Sequence, residues 1–414
     1  MNFFLTTNRN ILKYILYFLP IIVIIGNAAI NLTLGIVVLL YFVRSFSEKK
    51  ILFFEKPEFK YFIIFYIYLI LNSFFSPDLK LSLIRTIPFL KFFIFVLIYI
   101  DFFEKKKIQI KRLGIFWILI LFVLSADILF QSIVGHNIIG YKPELVNRNS
   151  SFFFNEFIAG GFIFSIVFLT LKMIFKNQNN LSEQLIIIFF LIVVFFTGER
   201  SNFIKFSLIF LIGIFFWFKY QNYIKRLLVV LLIFLSIFSI YNTKIFSDRY
   251  LTSISSSPNT DLGIINNFLR STYGAHALSA FYIFKENIFF GVGNKNFRVS
   301  CMEQKEKVLN YQKIIDPDGI SFSDGCATHP HQIYYEFLSE HGLLGTLFML
   351  SIFFKLIKMK IDREKLSSIN LYALFYLLIT FIPILPSGSF FTTTSAMLFW
   401  LNYIFFVISQ KKIN

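Results

Sequence analysis

The sequence predicts an all-α polytopic membrane protein, with about twelve transmembrane helices and one large periplasmic loop between the ninth and tenth. Of the 414 residues, 57% are hydrophobic and only 15% are charged, whereas soluble domains average about 25% charged residues. The apolar residues form runs long enough to cross a bilayer, and the charges fall in short clusters between these runs. One stretch of about 100 residues, from Asn242 to His341, interrupts the series and predicts the loop.

Twelve apolar segments are the predicted spans, because a transmembrane helix needs about 20 mostly apolar residues, and fewer where flanking Lys or Arg side chains reach the interface. Gly26 and Asn27 alone separate the first two. In chain order the segments are Ile11–Ile25, Ile30–Phe42, Tyr61–Phe75, Leu83–Ile100, Leu113–Phe130, Phe157–Phe175, Leu181–Thr197, Phe203–Phe218, Leu227–Tyr241, Leu343–Ile357, Leu371–Leu385 and Thr393–Ile408. They divide the chain into a membrane domain over 1–241, a periplasmic loop domain over 242–341 and a second membrane domain over 342–414.

The basic residues predict which side each loop faces. If the N-terminus lies in the cytoplasm, the segments on that side contain 24 of the 40 Lys and Arg residues, and the short loops on the other side contain seven. Cytoplasmic loops are the ones enriched in Lys and Arg, so both termini are predicted to be cytoplasmic. The net charge of +17 is spread in short clusters between spans, which argues against a nucleic-acid partner and for contact with membrane lipid.

The long loop contains both cysteines of the chain, Cys301 and Cys326. Two cysteines in one loop on the oxidising side of a membrane are typical of a disulfide, and two free buried thiols are the alternative. The loop also contains the sequence DPDG at 316–319, which superficially resembles the D-x-D metal motif of nucleotide-sugar transferases. Because Pro and Gly are interleaved with the aspartates, we expect a turn there and no metal site.

The end of the loop and the start of the tenth span read CATHPHQIYYEFLSEHGLLG over 326–345. A threonine and a proline form a helix-start signal, and apolar residues then recur at helical spacing until Gly342, which is expected to end the helix. The pattern predicts a short amphipathic helix at the outer membrane surface. It also places His331 in the first turn, on the same face as Tyr334 and Tyr335.

Three roles are open to His331: a solvated surface residue, a metal ligand beside His329, or a general acid or base. Pro330 separates the two histidines, and no third His or carboxylate follows at the usual ligand spacing, which disfavours the metal. His329 precedes a proline, so its backbone is expected to be extended and its side chain to point elsewhere. An imidazole with a pKa near 6.5 suits proton transfer near neutral pH.

One pattern resembles the histidine signature of the O-antigen ligases and the related Wzy-type polymerases: His331 and Gln332, separated by nine residues from GLLG at 342–345. Gln332 stands where the family usually has Asn. Three further segments resemble the arginine motif of this family, its G-x-G-x-x-x-F loop and a segment before the sixth span. They are Thr197–Ser201 (TGERS), Gly291–Phe297 (GVGNKNF) and Arg148–Glu156 (RNSSFFFNE).

This resemblance implies a glycosyltransferase of the bacterial inner membrane. It would take a glycan from undecaprenyl diphosphate at the periplasmic face and join it to a hydroxyl of a lipid A-core acceptor, with inversion and without a metal or other cofactor. His331 would be the general base. Arg200 and Arg270 would stabilise the departing diphosphate, because a guanidinium binds phosphate oxygens in pairs and keeps its proton.

Alternatives remain for these arginines. Arg249 competes with Arg270, which could also be a solvated loop charge, and Arg200 could instead pair with Glu199. Other residues could contact the substrates or have only structural roles, with Arg85 and Lys91 also able to reach the lipid interface. The candidate substrate-binding residues are Arg148, Glu156, Arg85, Lys91, Tyr334, Tyr335 and Gln332, and the motif glycines expected to be structural are Gly291, Gly293, Gly342 and Gly345.

Three other functions compete with the ligase. A Wzy-type polymerase would share the donor and the topology, and the histidine signature favours the ligase. A lipid-glycan flippase or transporter would place charges at mid-span and show internal repeats, whereas the span centres here are nearly free of charge and no repeat is visible. A non-catalytic scaffold in envelope assembly would need none of these motifs.

Overall fold

The computed structural model describes residues 2–49, 53–54, 56–105, 108–145, 147–175, 180–218, 222–241, 243, 245–246, 268, 271–315, 325–362, 365–383 and 385–408. These residues form an all-α structure. The helices are α1 (Asn2–Ile25), α2 (Asn27–Glu48), α3 (Pro57–Ser73), α4 (Leu79–Thr86), α5 (Leu90–Lys105), α6 (Ile110–Val134), α7 (Ala159–Ile174), α8 (Leu181–Phe196), α9 (Arg200–Phe218), α10 (Tyr223–Tyr241), α11 (Thr272–Glu286), α12 (Phe297–Glu303), α13 (Lys305–Ile315), α14 (Ile333–Ile361), α15 (Ser368–Thr380) and α16 (Thr393–Val407).

Helices lie on all twelve segments predicted to be spans. Among the described residues, four helical stretches are long and apolar enough to cross a membrane by length and composition, and several shorter helices are also apolar. The four are Asn27–Glu48, Leu79–Lys105, Ile110–Val134 and Ile333–Ile361. The protein is therefore a multi-pass membrane protein, and the number of twelve spans stays a prediction.

Three helices form the centre of the bundle, because they are apolar and buried around most of their circumference. These are α5, α7 and α16, where nearly every residue is buried. A helix that is hydrophobic on all sides is stable only when other helices or lipid surround it. Aromatic rings join α5 and α16 to α3. The ring centroid of Phe93 on α5 lies 4.8 Å from that of Phe62 on α3 and 5.3 Å from that of Trp400 on α16.

The connections between successive membrane segments fall at two opposite ends of the bundle. One end holds the corner between α1 and α2, the start of α7, the turn between α8 and α9 and the start of α16. Contacts across this end include Asn27 with Thr394 at 2.9 Å, and Asn72 with the carbonyl of Phe290 at 2.9 Å. We call this the site end and the other the paired end, for reasons that follow.

The part of the long loop that the structure describes, 271–315 and 325–332, has a small apolar core of its own. Ile283, Val292, Phe297 and the two cysteines are buried together in it. Cys301 and Cys326 are joined by a disulfide with Cα atoms 5.4 Å apart. In the chain-entropy description, a cross-link that closes a loop of this length contributes about 3 kcal/mol. The disulfide therefore ties α12 to the irregular segment 326–330, which leads to His331.

The loop docks on α14 through direct backbone contact at two glycines. Gly291 and Gly342 both have positive φ, and a Cβ added to either would lie 2.4 Å from backbone atoms of the facing segment. The contact is closed by hydrogen bonds from Gly293 N to the carbonyl of Glu340 at 2.8 Å and from Leu343 N to that of Ile288 at 2.7 Å. Only a residue without a side chain allows this approach.

The same contact explains two further glycines of the motifs. A Cβ added to Gly293 would lie 2.5 Å from Cβ of Ser76, and one on Gly345 would lie 1.8 Å from the hydroxyl of Tyr68. Gly342 interrupts the helical geometry of α14, as the sequence predicts. The glycines therefore fix how the loop sits on the membrane domain.

The first part of α14, residues 333–341, differs from the prediction of a surface helix. Glu336, Phe337, Glu340 and His341 are buried, because α11 covers this segment on one side and α3 packs on the helix from the other. Apolar residues at helical spacing indicated one buried face. The additional burial comes from the docked loop, which the spacing could not reveal.

Candidate functional site

His331 lies just before α14 and not in its first turn, which corrects the sequence prediction. The helix begins at Ile333, and Gln332 is the N-cap, whose side chain accepts hydrogen bonds from the amides of Tyr334 at 2.7 Å and Tyr335 at 3.0 Å. Because Gln332 outcompetes the upstream threonine as a cap, His331 is left outside the helix with a φ of 53°. The imidazole is therefore displayed on an irregular backbone at the helix entrance.

Gln332 and the two tyrosines, predicted to bind substrate, have structural contacts in this arrangement. The amide nitrogen of Gln332 donates to the carbonyl of Pro383 at 2.7 Å, so both polar groups of its side chain are engaged. The hydroxyl of Tyr334 donates to the carbonyl of Phe381 at 3.0 Å, and Tyr335 packs on the loop core. These contacts give all three residues a role in seating α14.

Three imidazoles meet at His331. Its ring centroid lies 4.2 Å from that of His329 and 4.8 Å from that of His276, which comes from α11. The expectation that His329 points away is therefore wrong, because the left-handed backbone of His331 turns its ring back towards its neighbour. His276 was missed because it lies far away in the sequence, and only the docking of α11 brings it here.

Burial and neighbouring charge lower the pKa values of His331 and His329. The pKa of His331 is lowered to about 4, chiefly by burial and then by His329 and His276, while Arg148 lowers it further and Glu336 opposes the shift. The pKa of His329 is also lowered to about 4, by burial, Lys295 and His276. A neutral imidazole is the form that can accept a proton.

Arg148 is close enough to His331 to influence its pKa and lies in the loop that precedes α7. Its guanidinium carbon sits 4.9 Å from the ring centroid of Phe157. In the part of the chain that the structure describes, the guanidinium has no carboxylate partner, and its Nε is buried without a hydrogen bond. Burial without a partner is unfavourable for an arginine, so this side chain is suited to an anionic ligand.

The loop that contains Arg148 is fixed by a polar network at the end of α6. Asp127 accepts from the amide of Ile138 at 2.7 Å and from the hydroxyl of Ser151. The side chain of Gln131 accepts a hydrogen bond from the amide of Ser151 at 2.8 Å. The side chain of Asn137 donates to the carbonyl of Ser151 at 3.1 Å. Arg148 is thereby presented from a rigid support.

The TGERS turn lies directly against this loop. Glu199 caps α7, accepting from the amides of Gly160 at 2.7 Å and Gly161 at 3.2 Å and from the side chain of Asn202 at 2.6 Å. Burial raises the pKa of Glu199 to about 7, against the lowering effects of these hydrogen bonds and of Arg148. Because the acceptor oxygens of Glu199 are taken, it makes no ion pair with Arg200 among the described residues, so this alternative for Arg200 is not realised.

Arg200 opens α9 and is linked to His331 through one connecting segment, residues 385–389 and their neighbour Pro383, which we call the bridging segment. Ser201 and Lys205, just after Arg200, both donate to the carbonyl of Pro386, the lysine at 2.9 Å. The next amide, of Ser387, donates to the carbonyl of His331 at 2.8 Å. The start of α9 and the histidine are therefore held on the same short piece of backbone.

A buried charge cluster joins the loop, α14 and the bridging segment. Lys295 Nζ lies 2.6 Å from the hydroxyl of Ser389 and 3.4 Å from Glu336 Oε1. Glu336 also accepts from the amide of Phe390 at 2.8 Å, and Glu340 accepts from that of Lys295 at 2.8 Å. These two carboxylates were not predicted from the sequence. The one feature that could have indicated them is that both are acidic residues on a helix that continues into a predicted span.

The other residues predicted to bind substrate or to act in catalysis lie apart from one another at the site end, or fall outside the residues that the structure describes. Glu156 is exposed, 3.4 Å from the side chain of Asn27, and Lys91 donates to Asn31. Arg85 is exposed on α4. Arg270, its competitor Arg249 and the DPDG turn lie outside the described residues. No group of three or more His, Cys, Asp and Glu side chains within the described residues could hold a metal ion, and this includes the three neighbouring imidazoles.

Comparison with known proteins gives a match over part of the chain. No curated protein sequence matches the chain. Residues 185–350, which include the TGERS turn, the GVGN turn and His331, match the model of a protein family described as O-antigen ligase. The match supports the resemblance seen in the motifs, and residues 185–350 of this multi-pass membrane protein are similar to the O-antigen ligase family.

Proposed function

We propose that this protein is an O-antigen ligase-like glycosyltransferase of the bacterial inner membrane. It moves a glycan from undecaprenyl diphosphate to a hydroxyl of a lipid A-core acceptor at the periplasmic face, with both chain termini in the cytoplasm. One observation carries the proposal. Within the described residues, Arg148 acts on His331 through its charge and has a buried Nε without a hydrogen bond, the start of α9 at Arg200 is tied to the backbone of His331 through Pro386 and Ser387, and the stretch that includes Arg200 and His331 matches the ligase family.

The arginines are assigned to the donor. Departure of undecaprenyl diphosphate leaves negative charge on phosphate oxygens, which a fixed guanidinium stabilises without any change in its own protonation. Arg148 and Arg200 come from two neighbouring segments, joined by the hydrogen bond from the side chain of Asn149 to the carbonyl of Phe196 at 2.6 Å. Arg270, assigned by resemblance, completes this set. Positively charged side chains of this kind can do the electrostatic work of a divalent cation, so the proposed reaction uses no metal or other cofactor.

His331 is assigned as the general base. The acceptor oxygen attacks the anomeric carbon from the face opposite the diphosphate, the bond from that carbon to the diphosphate oxygen breaks with its electron pair, and the hydroxyl proton passes to the imidazole. The donor assists this step, because its negative charge opposes the effect of Arg148 and so favours the protonated ring. The result is a glycan with inverted configuration and free undecaprenyl diphosphate.

The test is the lipopolysaccharide of a deletion strain, separated on a gel, with the wild-type gene and His331→Ala returned on plasmids. We expect the deletion strain to lack all long chains and to accumulate the glycan on undecaprenyl diphosphate. The wild-type gene should restore the long chains and His331→Ala should not. A core that still receives a single repeat unit would identify a Wzy-type polymerase instead, and unchanged lipopolysaccharide would reject both functions.

A further inference from the structure

His331 lacks the hydrogen-bonded partner that usually orients a general base. Within the described residues, its ring makes no side-chain hydrogen bond, and Glu336 influences it only through charge. Its backbone is also in the left-handed region, outside the helix that follows. A base must keep one orientation to within a few tenths of an ångström to act efficiently, so something else must hold this ring.

Aromatic rings surround it instead. Measured between ring centroids, His331 lies 4.2 Å from His329, 4.8 Å from His276 and 6.4 Å from Tyr273, whose ring is nearly perpendicular to that of His331. Two of the three, Tyr273 and His276, are adjacent on one face of α11, one turn apart. Helical residues three apart present neighbouring side chains, so α11 supplies a wall of two rings.

His276 is the best anchored of these rings. It is 7% exposed, and its Nδ1 lies 2.8 Å from the carbonyl oxygen of Gly325, the residue before the disulfide-bonded Cys326. A carbonyl oxygen can only accept, so Nδ1 carries the proton, and in the neutral ring Nε2 is the unprotonated nitrogen. The hydrogen bond therefore fixes both the tautomer and the plane of His276, and it ties α11 to the irregular segment that leads to His331.

We propose that His276 is a positioning residue, whose anchored ring holds the imidazole of His331 in its reactive orientation. This inference rests on the proposed function, in which His331 is the base. His276 makes no contact with substrate in this role. It acts through His331, and its effect is on the rate of transfer at saturating donor, not on the affinity for the donor.

His276 also belongs to the set of groups that keep His331 neutral. The titratable and charged groups facing His331 are Tyr273 and His276 from α11, His329 from the irregular segment before His331, Glu336 from α14 and Arg148 from the loop before α7. Replacing His276 by a residue that cannot be protonated removes one group whose positive charge, when present, lowers the pKa of His331. The pKa of His331 then rises towards its ordinary value, and the acid limb of the pH profile moves to higher pH.

Two substitutions separate ring packing from the hydrogen bond. His276→Asn keeps an N–H near the position of Nδ1, so the bond to Gly325 can persist while the ring is lost. His276→Phe keeps the ring and loses the bond. His136→Asn is the matched control, because the ring of His136 contacts Phe130 away from the cluster.

The measurements are kcat and KM for purified full-length protein with an undecaprenyl-diphosphate-linked glycan, the pH profile of kcat/KM and mass mapping of the disulfide. We expect His276→Asn to lower kcat by about 10- to 100-fold with little change in KM, the range for a misplaced reacting group. Its acid limb should move to higher pH. His276→Phe should keep most of kcat, and His136→Asn should match the wild type.

A folded His276→Asn protein with wild-type kcat and an unchanged acid limb would overturn the inference. If His276→Asn fails to fold, His276→Phe decides, since a large loss of kcat in that folded variant would also contradict ring packing. The proposed function fails separately, when His331→Ala retains transfer. Loss of transfer in His331→Ala together with wild-type kinetics in His276→Asn rejects only the role of His276.

Discussion

The two ends of the bundle differ in how their arginines are paired, although the site end also contains the buried pair of Lys295 and Glu336. At the paired end, Arg44 contacts Asp101 at 2.7 Å, Lys56 contacts Glu104 at 2.6 Å and Lys172 contacts Glu183 at 2.6 Å. At the site end, Arg148 and Arg200 have no acidic partner within the part of the chain that the structure describes. Pairing satisfies a charge inside the protein, whereas an unpaired arginine near the membrane is satisfied only by a ligand or solvent. The comparison separates structural charges from functional ones.

The largest effect is expected at His331. His331→Ala should lower the transfer rate by a factor of about 10²–10⁴, the usual contribution of a general base, while the protein remains folded in the membrane. His329→Ala should cost much less, because that ring supports His331 without accepting the proton. The measurement is single-turnover transfer at saturating donor. Near wild-type turnover in His331→Ala would leave the arginines alone as the core of the site.

The next largest effect is a loss of stability, and it is expected at the paired end. The side chains of Lys172 and Glu183 are only 3% and 1% exposed, and the ring of Tyr372 lies 5.1 Å from the ammonium. Lys172→Met should destabilise the protein by about 3–5 kcal/mol, because it leaves a buried carboxylate without its partner. Thermal unfolding in detergent measures this. Lys172→Met combined with Glu183→Gln should recover much of the loss, and a single variant as stable as the wild type would contradict the assignment.

A direct comparison of the two ends comes from one conservative change made at each. Arg200→Lys should reduce kcat/KM by about 10- to 100-fold, since a lysine cannot form the paired hydrogen bonds of a guanidinium to phosphate, each worth about 1.5–3 kcal/mol. Arg44→Lys should leave kcat/KM unchanged and alter only stability, by a small amount. The distinction between the ends breaks down if both variants transfer glycan equally well.

The smallest expected effect is that of moderate acid. The pKa of His331 is lowered from its ordinary value to about 4, so the neutral form persists as the pH falls and is lost only near that value. We therefore expect kcat/KM, which reports the free enzyme, to change less than about twofold between pH 7 and pH 5. A histidine with the ordinary pKa near 6.5 would lose about 25-fold over the same range. A loss of that size would show that His331 is solvated and unperturbed.

Features set by local sequence could be predicted, and features set by docking could not. Apolar runs predicted the helices, and Gly342 predicted the break in α14, because both depend on neighbours along the chain. The pairing of Cys301 with Cys326 followed from their being the only cysteines. His276 could not be placed, since its contact with His331 depends on how α11 packs on α14. The start of α14 was predicted too early in the sequence, because Gln332, a less usual N-cap residue, caps the helix in place of the threonine upstream.

The backbone contact between Gly291 and Gly342 has a consequence for recombining such proteins. The two strips of chain in this contact, 288–293 and 339–345, fit each other without any side chain between them. A chimera that takes the loop of a relative must therefore inherit both strips from the same parent. Crossovers before Ser271 and after Gly345 respect this matching, whereas one inside 294–338 would separate two surfaces shaped for each other and disturb the seat of His331.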